Sequence, residues 1–156
     1  LGFSVGTAPV ISYNFGAGNC DELKSLRKQC FVVIAITAVL MCALAEALAG
    51  PLALMFVGYD ETLMEITEHA FLIYSFCFLF SGFAIFGSSF FTALNDGGVS
   101  ALIAFLRTLV FQVTAVFVLP ELIGLDGIWL SVVVAEIMAV IVTAVLIIAK
   151  RKKYQY

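Results

Sequence analysis

Charged residues are scarce in this sequence, and their scarcity excludes most soluble folds. Only 12% of the residues are charged and 63% are hydrophobic, whereas ordinary soluble domains are about 25% charged and about 45–50% apolar. A soluble chain of this composition could not cover its surface with polar groups. The sequence therefore indicates an integral membrane protein, and its net charge of −3 gives no sign of nucleic-acid binding.

The sequence also lacks the spacings that enzymes and metal sites use. Its four cysteines show no CxxC or CxxH pattern, and we interpret them as small apolar residues of membrane helices; they are Cys20, Cys30, Cys42 and Cys77. No nucleophile–base pair or nucleotide motif is found, so we expect no catalytic residue, no metal site and no cofactor. Because the sequence starts at Leu1 inside an apolar run, without Met or a basic leader, we expect a fragment of a longer protein.

Five apolar segments predict an all-α, polytopic membrane helix bundle. A helix that crosses a membrane needs about 20 apolar residues. The predicted helices cover about residues 1–17, 29–49, 63–94, 99–119 and 128–149, and a tail follows at 150–156. Gly50-Pro51 and Pro120 are expected to end the second and fourth helices, because proline lacks a backbone N–H. The apolar stretch after Gly50 is predicted to be a short interfacial turn.

The positions of the basic residues predict the orientation in the membrane. The tail carries Lys150-Arg151-Lys152-Lys153 and should be cytoplasmic, since short cytoplasmic segments are rich in Lys and Arg. Counting crossings back from the tail places residues 18–28 and 95–98 on the same side, and every Lys or Arg except Arg107 then falls there. We expect a multi-pass protein of the cell (plasma or inner) membrane with a cytoplasmic C-terminus.

Two charges lie deep in neighbouring predicted helices. Arg107 and Glu136 are each eight positions from the start of a helix, which is about 12 Å at a rise of about 1.5 Å per residue. The two helices are antiparallel, so we predict a buried ion pair, because burying either charge alone would cost several kcal/mol. The sequence leaves open a static structural pair, charges that face different helices, and a pair with a functional role.

Several uncharged residues are also candidates for a polar cavity. Pro9 predicts a kink in the first helix, and Tyr13 and Asn14 make its end polar. Gln112 lies five residues beyond Arg107 and is predicted to face the same cavity, although a hydrogen bond between helices is the alternative.

The order of several motifs resembles a known family. They are P-x-x-S-Y-N-x-G-A-G-N at Pro9–Asn19, S-x-F-F-x-A-L-N-D at Ser88–Asp96, L-R-x-L-x-F-Q at Leu106–Gln112 and G-L-D-G-I-W at Gly124–Trp129. Together they resemble the C-terminal part of a multidrug and toxic compound extrusion (MATE) transporter, and the resemblance covers essentially the whole chain.

The resemblance implies a fold and a function. A family member has twelve helices in two six-helix lobes and exports cationic or amphipathic drugs in exchange for protons or Na⁺ by alternating access. The five helices here would be the eighth to the twelfth, with Tyr13, Asn14, Arg107 and Gln112 in the substrate cavity. The implied partners are small cationic or amphipathic molecules, the lipid bilayer and the N-terminal lobe of the same protein.

The coupling ion and the function class both stay open at this point. Sodium-coupled relatives carry a carboxylate in the tenth helix, but residues 71–93 contain no Asp or Glu. One alternative function is a lipid-linked sugar flippase of the same wider superfamily. A second alternative is a membrane subunit that scaffolds or senses without transporting.

Overall fold

The computed structural model describes residues 1–154, which form helices packed into one bundle. The elements are α1 (Gly2–Gly16), α2 (Cys20–Val57), α3 (Glu61–Ser75), α4 (Cys77–Ala93), α5 (Gly97–Phe105), a π-helix (Leu106–Phe111), α6 (Gln112–Ile123) and α7 (Leu125–Tyr154). Within residues 1–154 no β-strand is found. The predicted all-α class is confirmed.

These elements make five helical rods. α3 runs into α4 with a break at Phe76, and α5, the π-helix and α6 follow one another without a loop, so α1, α2, α3–α4, α5–α6 and α7 are the five rods. All but α1 are long and apolar enough to cross a membrane. The predicted helix bundle is therefore present, and the fold is that of a multi-pass membrane protein.

The predicted bounds of the second helix are wrong. Instead of 29–49, α2 begins at Cys20 and continues through Pro51 to Val57, so the predicted interfacial turn is part of the same helix. Asp21 and Glu22 lie in the first turn, where negative charge suits the positive end of the helix dipole. Beyond Pro51 the helix continues because an apolar environment offers the backbone no other hydrogen-bond partner.

The predicted bounds of the third, fourth and fifth helices also differ from the structure. The predicted helix 63–94 is interrupted at Phe76, and the predicted helix 99–119 contains a π-helical turn and passes Pro120 before it ends at Ile123. Gly124 then adopts φ +68°, a conformation that glycine tolerates best. The last helix reaches Tyr154 rather than 149, so most of the predicted tail is helical; residues 155–156 of the tail lie outside the described residues.

The core lies on one face of α4. Phe86, Phe90 and Phe91 are fully buried and belong to a cluster that draws residues from α1, α2, α5 and α7. Across this interface Gly87 meets Thr143 of α7 so closely that a Cβ atom at Gly87 would overlap the threonine methyl group. The close contact fixes α7 against α4, which sets the position of Glu136.

The bundle has two chemically different ends. We call the end that carries Asn19, Asp96 and Tyr154 the basic end, because α7 finishes there with Arg151, Lys152 and Lys153. We call the opposite end the acidic end. There the side chain of Asp60 caps α3 by accepting hydrogen bonds from the backbone of Thr62 and Leu63 at 2.9 and 3.1 Å.

Candidate functional site

Arg107 and Glu136 form a bidentate ion pair inside the bundle. Arg107 Nε donates to both carboxylate oxygens of Glu136 at 3.0 Å, and a terminal guanidinium nitrogen donates to Oε1 at 2.6 Å. The side chain of Glu136 is 11% exposed and that of Arg107 is 26% exposed. Such charge-assisted, bidentate hydrogen bonds are among the strong polar contacts in proteins, and the three bonds here join the π-helix to α7.

The π-helix sets the position of Arg107. In this segment the backbone N–H of Gln112 donates to the carbonyl of Arg107, five residues earlier, so the turn is wider than an α-helical turn. Short π-helical segments inside α-helices are rare and often lie at functional sites. The sequence gives no signal for it, because no Pro or Gly occurs between Ala101 and Leu119.

Gln112 is not part of the ion pair. Its backbone N–H donates to the carbonyl of Arg107. Its side chain is exposed and lines an open groove with Thr108, Val113, Val116 and Phe117. No hydrogen bond between Gln112 and Glu136 is present.

A group of polar side chains extends from Glu136 toward α2 at the break between α3 and α4. Tyr74 and Cys77 flank Phe76 and lie near enough to Glu136 to interact with it electrostatically. The neighbouring Ser75 donates through its Oγ to the Leu72 carbonyl at 2.8 Å, and the same Oγ lies 3.4 Å from Oε1 of Glu46 in α2. Polar groups therefore run across the bundle from the π-helix to α2.

Sequence reasoning did not find the middle of this polar group. It identified the two ends of the ion pair as membrane-depth charges, but it did not single out Ser75 or Tyr74. Their only signal is position, because they surround the point at which a long apolar helix breaks. That break is itself not marked by Pro or Gly.

The polar residues of α1 lie elsewhere. Asn14 is buried, and its amide donates to the Val10 carbonyl at 2.9 Å while its oxygen accepts from Asn19 at 3.3 Å. These bonds hold the end of α1, and the predicted ligand contact of Asn14 stays a prediction. Tyr13 is 72% exposed, and no hydrogen bond joins Tyr13 or Asn14 to Arg107 or Gln112 in the described chain.

The kink at Pro9 stays a prediction. α1 continues on both sides of Pro9 as one helix. At its far end Ser12 Oγ donates to the Ala93 carbonyl at 2.8 Å, which ties α1 to the end of α4.

The described residues offer no obvious metal site. No three His, Cys, Asp or Glu side chains among residues 1–154 lie close enough to hold a metal ion together. What the site provides is one paired charge of each sign and several hydroxyl, thiol and amide groups. Such a set can bind or release a proton or an organic cation.

Comparison with known proteins gives the family. The MatE family model matches residues 1–118, a range that includes Arg107 but not Glu136. The structure is similar to one described as the outward-facing conformation of a multidrug resistance MATE family transporter of the MOP superfamily, with TM-score 0.88 and 18% identity over 97% of this chain. The chain spans 34% of the length of that protein, and no curated protein matches the sequence. On the strength of the family match and the shared fold, the chain belongs to the MatE family.

Proposed function

We propose that the full-length protein is a secondary active transporter that exports cationic or amphipathic drugs in exchange for protons or Na⁺ by alternating access. The family membership supports transport as the function class. The observation that carries the finer proposal is the Arg107–Glu136 pair, since ionisable groups at membrane depth usually belong to ion or substrate pathways.

The chemistry of the pair limits how it can work. The guanidinium of Arg107 does not lose its proton in proteins. The ion pair therefore breaks when Glu136 takes a proton, or when another cation replaces Arg107 at the carboxylate. Either event leaves Arg107 without its partner, and an unpaired buried charge costs several kcal/mol. The binding of a proton or cation is thereby coupled to a rearrangement that gives Arg107 a new environment.

The π-helix provides a rearrangement of suitable size. An α-helix that contains one π-helical turn holds one extra residue in that turn. If the turn becomes α-helical, the two parts of the rod rotate relative to each other by about 100° and shift by about 1.5 Å. In the proposed cycle the ion pair stabilises the bulged form. Loss of the pair would favour a different register of α5 against α6.

The proposal includes an orientation. The basic end carries Lys150, Arg151 and Lys153, and by the positive-inside rule it would face the cytoplasm of a cell (plasma or inner) membrane. Tyr13, Asn14 and Gln112 would contribute to the substrate cavity together with the N-terminal lobe. Of these, exposed Tyr13 and Gln112 are better placed than Asn14, whose amide is already bonded.

A dye-efflux assay tests this function. The purified full-length protein is reconstituted into liposomes loaded with ethidium, and a pH gradient or a Na⁺ gradient is imposed. We expect efflux that depends on one of the two gradients and disappears when an ionophore collapses it. No gradient-dependent efflux of ethidium or any other cationic dye would contradict the proposal, and would favour a sugar-lipid exporter or a non-transporting subunit.

A further inference from the structure

The last turn of α7 returns to the turn between α4 and α5. The hydroxyl of Tyr154 donates a hydrogen bond to the Asp96 carboxylate. The ammonium of Lys153 donates to the same hydroxyl at 2.7 Å and lies 3.6 Å from Asp96 Oδ2. A lysine, a tyrosine and a carboxylate thus form a small charge-assisted network at the basic end.

Asp96 serves two elements at once. Its Oδ1 atom accepts from the backbone N–H of Val99 at 3.3 Å and so caps the first turn of α5, while Oδ2 faces Tyr154. The residue before it, Asn95, has φ +60°, which makes the turn tight. The hydrogen bond from Tyr154 holds the pKa of Asp96 below its ordinary value, so the carboxylate is charged at neutral pH.

Tyr154 also packs against the end of α1. Its ring meets Phe15 edge-on with centroids 5.8 Å apart, and only 9% of the residue is exposed although it lies in a lysine-rich turn. Beneath it is a cavity of about 170 Å³ that is partly open to the outside, and its walls include Tyr154 itself together with Asn14, Cys20 and Leu23. One side chain therefore joins the ends of α1 and α7 to the start of α5.

We propose that Lys153 and Tyr154 form a latch that closes the basic end of the bundle, and that release of Tyr154 from Asp96 opens the cavity beneath it. The contact is suited to reversible opening. Lys153 is mostly exposed and Asp96 lies in a turn, so water can solvate both charges when the latch is released. The Arg107–Glu136 pair is different, because opening it leaves a charge among apolar helices.

The latch predicts a kinetic signature at Cys20, a half-buried thiol in the wall of the cavity whose labelling should become faster when the latch opens. The test uses the purified full-length protein in detergent, with every cysteine except Cys20 replaced by alanine, and measures the rate of maleimide labelling. Tyr154→Phe keeps the ring but lacks the hydroxyl, and should speed labelling about fivefold, the change expected for one net hydrogen bond of about 1 kcal/mol. Adding Asp96→Asn to Tyr154→Phe should give little further increase, because Tyr154→Phe has already removed the hydrogen bond to Asp96, and asparagine can still cap α5.

Two controls separate the latch from general loosening. Tyr13→Phe changes an exposed tyrosine on α1 and should leave the labelling rate of Cys20 unchanged. A second background that keeps only Cys42, a buried thiol of α2, should label at the same rate with and without Tyr154→Phe. An unchanged Cys20 rate in Tyr154→Phe would overturn the proposal, and so would an equal acceleration at Cys42 or in Tyr13→Phe.

Discussion

Removing either partner of the Arg107–Glu136 pair should destabilise the protein far more than removing both. Arg107→Met deletes the guanidinium and leaves the Glu136 carboxylate, 11% exposed, without a cation. Breaking a buried pair in this way costs about 3–5 kcal/mol, whereas replacing both partners with apolar residues is often neutral or stabilising. The double variant Arg107→Met/Glu136→Met should therefore unfold at or above the denaturant concentration of the wild type.

The structure also predicts which single variant is worse. Arg107 is 26% exposed and has a long side chain that can turn its charged end toward water or the membrane interface. Glu136 is shorter and more buried, so it is harder to solvate alone. Arg107→Met should lie near the upper end of the range of about 3–5 kcal/mol, and Glu136→Met near the lower end.

A double-mutant cycle measures this coupling. Equilibrium unfolding of the full-length protein is followed in detergent with increasing denaturant for the wild type, both single variants and the double variant. The control is Lys24→Met, which breaks the exposed Lys24–Asp21 pair at 2.9 Å and should leave the free energy of unfolding nearly unchanged, because water screens exposed ion pairs. Single variants that each lose under about 1 kcal/mol, with additive effects, would refute the buried pair.

Three further predictions follow from the packing and the helix caps. Gly87→Ala should cost about 1–3 kcal/mol, because the added methyl group overlaps Thr143, and Thr143→Ser should restore the lost stability. Gly6 has open space around it, so Gly6→Ala should not destabilise the protein. An equal loss of stability at both glycines in thermal unfolding would contradict this prediction. Asp60→Ala should lower the free energy of unfolding by about 1 kcal/mol through loss of the α3 cap, and no change would show that the cap contributes nothing. The stability that the Asp96 carboxylate adds should be full at neutral pH and should disappear as the pH falls through its pKa, which is lowered below the ordinary value of 3.8. The free energies of unfolding of the wild type and Asp96→Asn should therefore differ between pH 5 and 8 and converge in strong acid. A difference that persists in strong acid would contradict this prediction.

The sequence predicts the helical class well, because long uninterrupted apolar segments favour helices in a membrane. An apolar chain in lipid must pair its backbone groups internally, and five apolar runs then become five rods. The pairing of Arg107 with Glu136 is predictable for a related reason. Two charges at similar depth in consecutive antiparallel helices have few other partners.

The details that depend on tertiary packing were not predictable. Proline usually ends a helix in water, but Pro51 lies inside α2 and Pro120 lies inside α6. The π-helical turn at Leu106–Phe111 has no sequence signal, since no Pro or Gly marks it. The hydrogen bonds by which the Asn14 amide holds the end of α1 also depend on packing, and the place of Asn14 in the substrate cavity stays a prediction.

The central claim is that the Arg107–Glu136 pair works in the transport cycle rather than only in folding. The most direct test is gradient-driven ethidium efflux by the reconstituted Arg107→Met/Glu136→Met double variant, at matched protein density and with folding verified by unfolding in detergent. We predict that this stable double variant loses most of its gradient-dependent efflux while the wild type retains it. Efflux at the wild-type rate from the double variant would contradict the claim and identify the pair as a static structural contact.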